Sequence, residues 1–203
     1  MGLYERYLLP KLLNAVMKSP DLELIRSQIV PEATGRVLEV GIGSGLNLPF
    51  YNYDVKVTGL DPSAELQVYA REVAEKEGID VEFIGLSGED IPSEDNFFDS
   101  IVITWTLCTI PDPVKALAEM RRVLKPGGKM IFAEHGLAPD TAVAKWQSRI
   151  NPVWKLVAGG CNLNREIDKM ITDTGFKLDA LAQGYIPGPK FATYNYRGVA
   201  RVV

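Results

Sequence analysis

A short apolar segment that leads directly into a glycine-rich turn constrains the fold of this chain more than any other feature. Residues 36–40, RVLEV, have the length and the branched side chains of a buried strand, and GIGSG follows at 41–45. Gly41, Gly43 and Gly45 allow the backbone to turn tightly and to approach a ligand closely, because no Cβ stands in the way. We therefore expect this strand, the loop and a following helix to form one ligand-binding unit of an α/β sheet.

The alternation of strands and helices continues along the chain. Strands are predicted at 36–40, 56–61, 81–86, 98–106 and 129–135. Helices are predicted at 62–78, ended by Gly78, and at 112–128, capped by Asp112. Further helices are expected at 140–158 and 164–174, and a last pair of strands at 176–184 and 193–202. Such alternation predicts an α/β fold, with a seven-stranded, mostly parallel sheet, an antiparallel edge strand and helices on both faces.

The domain organisation is predicted to be simple. The 203 residues suffice for one domain with a sizeable core, and no repeat, low-complexity tract or linker divides them. We expect one domain over 1–203. Its first 30 residues carry apolar side chains at helical spacing, but Pro10 and Pro20 interrupt them, which favours two or three short helices.

Composition excludes several classes of protein. A net charge of −4 and a pI near 5.2 oppose a nucleic-acid-binding surface, which needs a basic face. One histidine and two cysteines far apart in sequence favour neither a disulfide framework nor a zinc site, so no metal is expected. With no apolar run of about 18 residues and no signal peptide, we expect a cytoplasmic protein.

An acidic residue ends the second predicted strand. Asp61 stands 20 residues after Gly41, where a carboxylate can accept hydrogen bonds from both ribose hydroxyls of an adenosine-containing ligand. The loop itself has the spacing G-x-G-x-G, since Leu46 occupies the last glycine position of a G-x-G-x-x-G fingerprint, and Glu39 precedes it. No Gly-Lys-Ser/Thr follows, which excludes a P-loop.

Together with FDSIVITWT at 98–106 and EMRRVLKPGG at 119–128, these segments resemble the class I S-adenosylmethionine-dependent methyltransferases, which have a Rossmann-like fold. The resemblance implies S-adenosylmethionine as cofactor and S-adenosylhomocysteine as product. It also implies the residues that would bind the cofactor. Glu39 and the three loop glycines would face its methionine part, and Asp61 with Pro62 its ribose. The adenine and the methyl-donating side would be lined by Ser87, Gly88 and Glu89, and by Thr104 and Trp105, respectively.

Segments in the second half resemble a narrower family, the small thiol S-methyltransferases related to the mammalian alkyl-thiol enzymes. They are LCT at 107–109, EH at 134–135, the helix from Trp146 to Trp154, and GCNL at 160–163. This resemblance implies a small thiol as methyl acceptor, a helical lid at 1–30 and a helical acceptor-side insertion at 140–175. The mammalian members carry an apolar N-terminal anchor, whereas residues 1–20 here include Glu5, Arg6, Lys11 and Lys18, so peripheral membrane contact is only weakly indicated.

Three residues are candidates for the chemistry. His135 ends the fifth strand, where it would act either as a base for a thiol or only as a structural hydrogen-bonding group. Cys108 would be a wall of the acceptor pocket or a small buried hydrophobe. Trp105 would face the sulfonium through a cation–π contact.

Neighbouring residues carry structural expectations. Cys161 is expected to be a small buried hydrophobe, and Asn162, with Asn164, is expected to cap the helix that starts near Arg165. An apolar lid over the acceptor would be formed by Trp105, Trp146, Trp154, Tyr4 and Tyr7. For Trp146 and Trp154, packing against the sheet is the alternative.

Other functions remain open at the level of sequence. A phosphatidylethanolamine N-methyltransferase and a quinone-precursor C-methyltransferase would share the same central segment. A regulatory module that binds the cofactor without turnover is a further alternative. The sequence does not indicate an oligomeric state.

Overall fold

The computed structural model describes residues 14–202. Residues 14–17 are helical, and the rest of the predicted lid before residue 14 lies outside the described part. The helices that follow are α1 (Pro20–Ile29), α2 (Ala64–Glu77), α3 (Pro113–Val123), α4 (Thr141–Val157), α5 (Ile167–Asp173) and the single turn α6 (Lys190–Thr193). The strands are β1 (Arg36–Val40), β2 (Lys56–Leu60), β3 (Val81–Ile84), β4 (Phe98–Thr104), β5 (Leu124–His135), β6 (Phe176–Tyr185) and β7 (Tyr194–Val202).

The seven strands form one sheet in the order β3-β2-β1-β4-β5-β7-β6. All pairs from β3 to β5 are parallel, and β7 runs antiparallel to both β5 and β6. The predicted fold class is thus confirmed, with β7 as the antiparallel strand of the edge pair. Because the order reverses direction between β1 and β4, the loops that follow these two strands diverge and leave a crevice at the carboxyl ends of the strands.

Alternating side chains on the central strands supply two hydrophobic layers. On one face, residues such as Leu38, Ile101 and Phe132 pack against α3 and α5. On the other face, residues such as Val37 and Ile131 pack against α1 and α2. This period of two in the strands, matched by apolar faces on the helices, is why a parallel sheet buried on both sides is the stable arrangement.

Helix caps follow the predicted positions in part. The Asp112 side chain accepts a hydrogen bond from the Lys115 backbone and begins α3, as expected. The prediction for Asn162 is wrong, because α5 begins at Ile167 with Glu166 at its N-cap. The expected helix after the glycine loop is also wrong: only a 3-10 turn, Leu48–Phe50, follows β1.

Within residues 14–202, none of the helices combines the length and the apolarity that crossing a bilayer requires.

The packing of α3 against the sheet can be tested at Leu117, whose side chain is fully buried in the core. We expect Leu117→Ala to lower the free energy of unfolding by about 2–5 kcal/mol, because it removes apolar contact and leaves a cavity. Val114→Ala on the same helix is the control: its side chain is 57% exposed, and we expect a change within about 0.5 kcal/mol. Urea denaturation measures both, and equal losses would contradict this packing.

Candidate functional site

A cavity of about 1010 Å³ lies at the carboxyl ends of the strands. The loops after β1, β2, β3 and β4 and the end of β5 line it, together with α1, Trp154 on α4, the α4–α5 loop and the β6–β7 connection. The structure brings most of the sequence-predicted site residues to its wall: Glu39, Gly41, Gly43, Asp61, Pro62, Ser87, Gly88, Thr104, Trp105, Cys108 and His135.

Two predicted site residues do not line this cavity. Gly45 has φ +78°, and a Cβ there would lie 3.0 Å from the Cα of Ala70, so it allows α2 to pack against the loop. Glu89 accepts hydrogen bonds from the Ser87 hydroxyl and the Asp112 backbone, both at 2.8 Å, and thereby ties its loop to the start of α3. Both residues are structural neighbours of the cavity in this fold.

Asp61 fixes the glycine loop. Its carboxylate accepts hydrogen bonds from the backbone N–H groups of Gly43 at 2.9 Å and Ser63 at 2.8 Å. Burial raises the pKa of Asp61, and these two hydrogen bonds partly offset that rise. Gly41 needs its missing side chain, because at φ +76° a Cβ would lie 2.2 Å from the Thr106 hydroxyl oxygen.

Glu39 is the centre of a buried polar network. Its two carboxylate oxygens accept hydrogen bonds from the Asn47 side-chain amide and the Tyr51 hydroxyl, both at 2.9 Å. Asn47 also donates to the Thr104 hydroxyl and accepts from the Arg26 guanidinium. Burial raises the pKa of Glu39 to about 7, and the two hydrogen bonds and the Arg26 charge oppose the rise. The sequence pattern predicts Glu39 and Thr104 as site residues, but not Asn47, Tyr51 or Arg26.

Trp105 is held on two sides. The guanidinium of Arg26 lies 4.7 Å from the centre of the indole ring, and the indole N–H donates to the Asn195 side chain at 2.9 Å. The backbone of Trp105 is in the left-handed region, at φ +48°. A cation–π contact at this ring was predicted for a sulfonium; in the structure the cation that contacts the ring is Arg26.

Three groups capable of ligating a metal meet at the other end of the cavity. The Nε2 atom of His135 lies 3.0 Å from the sulfur of Cys161, and the Cys108 sulfur completes a group whose ligand atoms lie within 4.8 Å of one another. The two cysteines, far apart in sequence, thus lie close together in the fold. We call Cys108, His135 and Cys161 the sulfur–imidazole cluster.

The three groups of the cluster shift one another's pKa values. The pKa of Cys161 is lowered, first by the neighbouring Cys108 thiol and then by the hydrogen bond with His135. Burial alone would lower the pKa of His135, but the contact with Cys161 outweighs it and the net change is a rise. The pKa of Cys108 is raised by the neighbouring Cys161 sulfur and by burial. For each of the three groups, another member of the cluster is among the causes of the pKa shift.

The long helix α4 contributes one wall of the cluster. The Trp154 indole N–H donates to the Cys161 sulfur at 3.3 Å, and its ring packs edge-on against Phe191 at 5.7 Å. Trp146 is half exposed, so it neither lines the cavity nor packs fully on the sheet. Of the two tryptophans on this helix, only Trp154 lines the cavity, and Tyr4 and Tyr7 lie outside the described residues.

Buried hydrogen bonds hold the loop that carries Cys108. Glu134 is fully buried, and one carboxylate oxygen accepts from the backbone N–H groups of Thr106 at 2.8 Å and Leu107 at 2.9 Å. Asn162 donates twice to the Cys108 carbonyl, from its backbone and its side chain, both at 2.9 Å. Arg165 donates to the carbonyl oxygens of Leu107 and Ile110. Sequence analysis assigned none of these contacts.

The sheet register separates the two ends of the cavity. Glu39 is level with Val102 on β4, and Val102 is level with Ile131 on β5, so His135 lies two strands across and four residues further along. Strand geometry makes this roughly 10 Å across the sheet and about 13 Å along it. Asp61 lies on the far side of Glu39, at the end of β2.

Comparison with known proteins gives the family context. The model of the methyltransferase domain family matches residues 38–132, which ends three residues before His135. The thiol S-methyltransferase TMT1B of Homo sapiens is 38% identical over 171 residues, which cover 80% of this chain and 70% of that protein. The phosphatidylethanolamine N-methyltransferase of Cereibacter sphaeroides is 38% identical over 103 residues, 50% of this chain and 51% of that protein. The solved structure of geranyl diphosphate methyltransferase in complex with SAM has a TM-score of 0.72 at 17% identity and covers 100% of this chain and 92% of that one.

Glu39 gives the stability of the protein a specific pH dependence. The pKa of Glu39 is about 7 in the folded protein, against an ordinary value of 4.5. Its contribution to the free energy of unfolding is therefore fully present below pH 4.5 and is lost as the pH rises through 7. The shift corresponds to at most about 3 kcal/mol. We expect the unfolding free energy of the wild type, relative to Glu39→Gln, to fall by up to that amount between pH 4.5 and 8.

Urea titrations at a series of pH values measure this difference. Glu72→Gln, at an exposed position on α2, is the control and should follow the wild-type profile. If the difference in unfolding free energy between the wild type and Glu39→Gln stayed constant across this pH range, the raised pKa of the buried Glu39 carboxyl would be contradicted.

Proposed function

The chain belongs to the S-adenosylmethionine-dependent methyltransferases, and from that premise we propose that its methyl acceptor is the sulfur of a small thiol. The single observation that carries the proposal is the chemistry of the cavity end opposite Asp61, where the sulfur–imidazole cluster and the rings of Trp154 and Phe191 form the wall.

The cavity fits the cofactor of this family. Residues without side chains stand where the backbone must approach a ligand, and Gly43 has open space at its Cβ position, with no atom but the Gly41 carbonyl oxygen within 4 Å. The buried carboxylate of Asp61 lies in the wall beside this loop, as a ribose-binding acid would. When bound, S-adenosylmethionine supplies a methyl group already activated on a sulfonium.

This chain's residues would divide the work of holding the cofactor. Asp61 and Pro62 would hold the ribose, and Ser87 with Gly88 would line the adenine. Glu39 would face the methionine part, where its carboxylate can accept hydrogen bonds from an ammonium group. The network from Arg26 through Asn47 keeps that carboxylate oriented before any ligand arrives.

The acceptor end favours a neutral, soft nucleophile. Of the described residues that line the cavity, the carboxylates are Asp21, Glu39 and Asp61, and none of them belongs to the cluster. An amine acceptor is protonated at neutral pH and calls for a carboxylate beside it, whereas a thiol needs only help in losing a weakly acidic proton. The aromatic rings around the cluster suit a small apolar substituent and exclude water.

A panel of acceptors tests the proposal, with labelled S-adenosylmethionine as donor. We expect product with hydrogen sulfide, methanethiol and mercaptoethanol at rates at least about tenfold above those with phosphatidylethanolamine vesicles or a demethylated quinol. A tenfold ratio of rates corresponds to about 1.4 kcal/mol of differential transition-state stabilisation. Product with the lipid or the quinol and none with the thiols would overturn the thiol assignment and leave the family membership intact.

Asp61→Asn tests the ribose assignment. The substitution keeps the size of the side chain but removes its charge and turns one acceptor into a donor that faces the backbone N–H groups of Gly43 and Ser63. We expect the affinity for S-adenosylmethionine to fall about ten- to a hundredfold, as for loss of hydrogen bonds to a charged group. Calorimetric titration measures the affinity, with Asp54→Asn, at an exposed position after the glycine loop, as the control. Unchanged binding by Asp61→Asn would remove Asp61 from the cofactor site.

A further inference from the structure

We propose that Cys108, His135 and Cys161 form a binding site for a thiophilic divalent cation, Zn²⁺, with one coordination position open to the cavity. The three residues come from three different parts of the fold: the loop after β4, the end of β5 and the loop between α4 and α5. Nothing in cofactor binding requires two sulfurs and an imidazole to meet at this point.

The distances suit tetrahedral zinc. Zinc–sulfur and zinc–nitrogen bonds place neighbouring ligand atoms roughly 3.5–3.8 Å apart in a tetrahedron. In the structure Nε2 of His135 lies 3.0 Å from the Cys161 sulfur, and all three ligand atoms lie within 4.8 Å of one another. Side-chain movements of about 1 Å or less convert the observed arrangement into the coordinated one.

The ligand-bearing segments are fixed by contacts that do not involve the ligands themselves. Glu134 accepts from two backbone N–H groups of the Cys108 loop, while Asn162 and Arg165 bind its carbonyl oxygens from the segment that follows Cys161. Because these bonds join the two cysteine-bearing segments directly, the two sulfurs face each other in a preorganised way.

The choice of ligands selects the ion. Two thiolates and an imidazole suit Zn²⁺, whereas Mg²⁺ and Ca²⁺ prefer oxygen ligands. The two thiolate charges balance the two charges of the ion, and the Trp154 N–H donates to the Cys161 sulfur from outside. Three protein ligands leave the fourth position of zinc open, which is the arrangement of catalytic rather than structural sites.

The open position faces the acceptor, because all three ligands line the cavity. Its role rests on the proposed function: the sulfur of the acceptor thiol replaces a zinc-bound water, a zinc–sulfur bond forms, and the thiol proton passes to solvent. Nothing is oxidised or reduced. Metal coordination deprotonates a thiol near neutral pH, so the acceptor would be held as a thiolate.

Metal titration of the reduced, metal-stripped full chain tests the site. With Co²⁺ as a spectroscopic substitute, we expect one equivalent to bind with thiolate-to-cobalt charge-transfer absorption, and Zn²⁺ to displace it. Cys108→Ser, His135→Gln and Cys161→Ser should each weaken binding at least about tenfold. Thr109→Ser, which borders the same cavity, is the matched control and should bind as the wild type does. Absence of the charge-transfer band, or equal binding by Cys161→Ser, would overturn the proposal.

A second measurement uses only the wild type, so it does not depend on the folding of any variant. Cys108 and Cys161 are the two cysteines of the chain, and mass spectrometry after iodoacetamide treatment reports each of them. We expect one equivalent of Zn²⁺ to slow the alkylation of Cys161 at least about tenfold, because a coordinated thiolate is a weaker nucleophile. Unchanged alkylation would overturn the site.

The role in catalysis can fail separately. Mercaptoethanol added to the Co²⁺ protein, without cofactor, should shift the visible spectrum if its sulfur takes the open position; an unchanged spectrum would overturn that role. Methylation of the lipid alone in the acceptor panel would overturn the proposed function, while the metal titration would still decide the site.

Discussion

This cavity depends on one kind of interaction: a buried carboxylate accepts hydrogen bonds from the backbone N–H groups of a neighbouring loop. Glu134 fills that role for the loop after β4, and Asp61 fills it for the glycine loop after β1. In each case the acid stands at the carboxyl end of one strand and binds the loop that follows another. Loops that would otherwise carry unsatisfied donors become rigid walls, which is what binding a ligand with little reorganisation requires.

These interactions are costly to maintain. Burial raises the pKa of Glu134 to about 7, as it does for Glu39, even though hydrogen bonds to the Leu107 and Thr106 backbone oppose the rise. Trp105 adds a left-handed backbone conformation, unfavourable for a residue with a Cβ. Such local costs are offset by the two hydrophobic layers of the sheet, whose central strands are almost completely buried. A strained, polar site is tolerated because the apolar packing of the rest of the domain stabilises the fold.

The sequence was informative wherever a feature is local. The strand at 36–40, the positions of Asp112 and Gly78 at helix ends, and the acid after β2 follow from the chemistry of adjacent residues, and the structure has each of them. Contacts between distant segments could not be deduced in this way. Cys161 lies 53 residues after Cys108 and 26 after His135, so no spacing rule brings them together. Asn162 was a reasonable helix cap by residue type, but its side chain binds the Cys108 carbonyl instead.

The same distinction explains why cofactor and acceptor differ in how readily they are recognised. The proposed cofactor end is built from β1, β2, β3 and the loops directly after them, so its residues follow one another in sequence and form a recognisable pattern. The proposed acceptor end needs β4, β5, α4 and the α4–α5 loop to be folded together before Cys108, His135 and Cys161 meet. Substitutions there can alter which nucleophile is accepted without disturbing the sheet or the glycine loop. Under the proposed function, acceptor specificity depends on long-range contacts, because the sulfur–imidazole cluster is assembled from three distant parts of the chain.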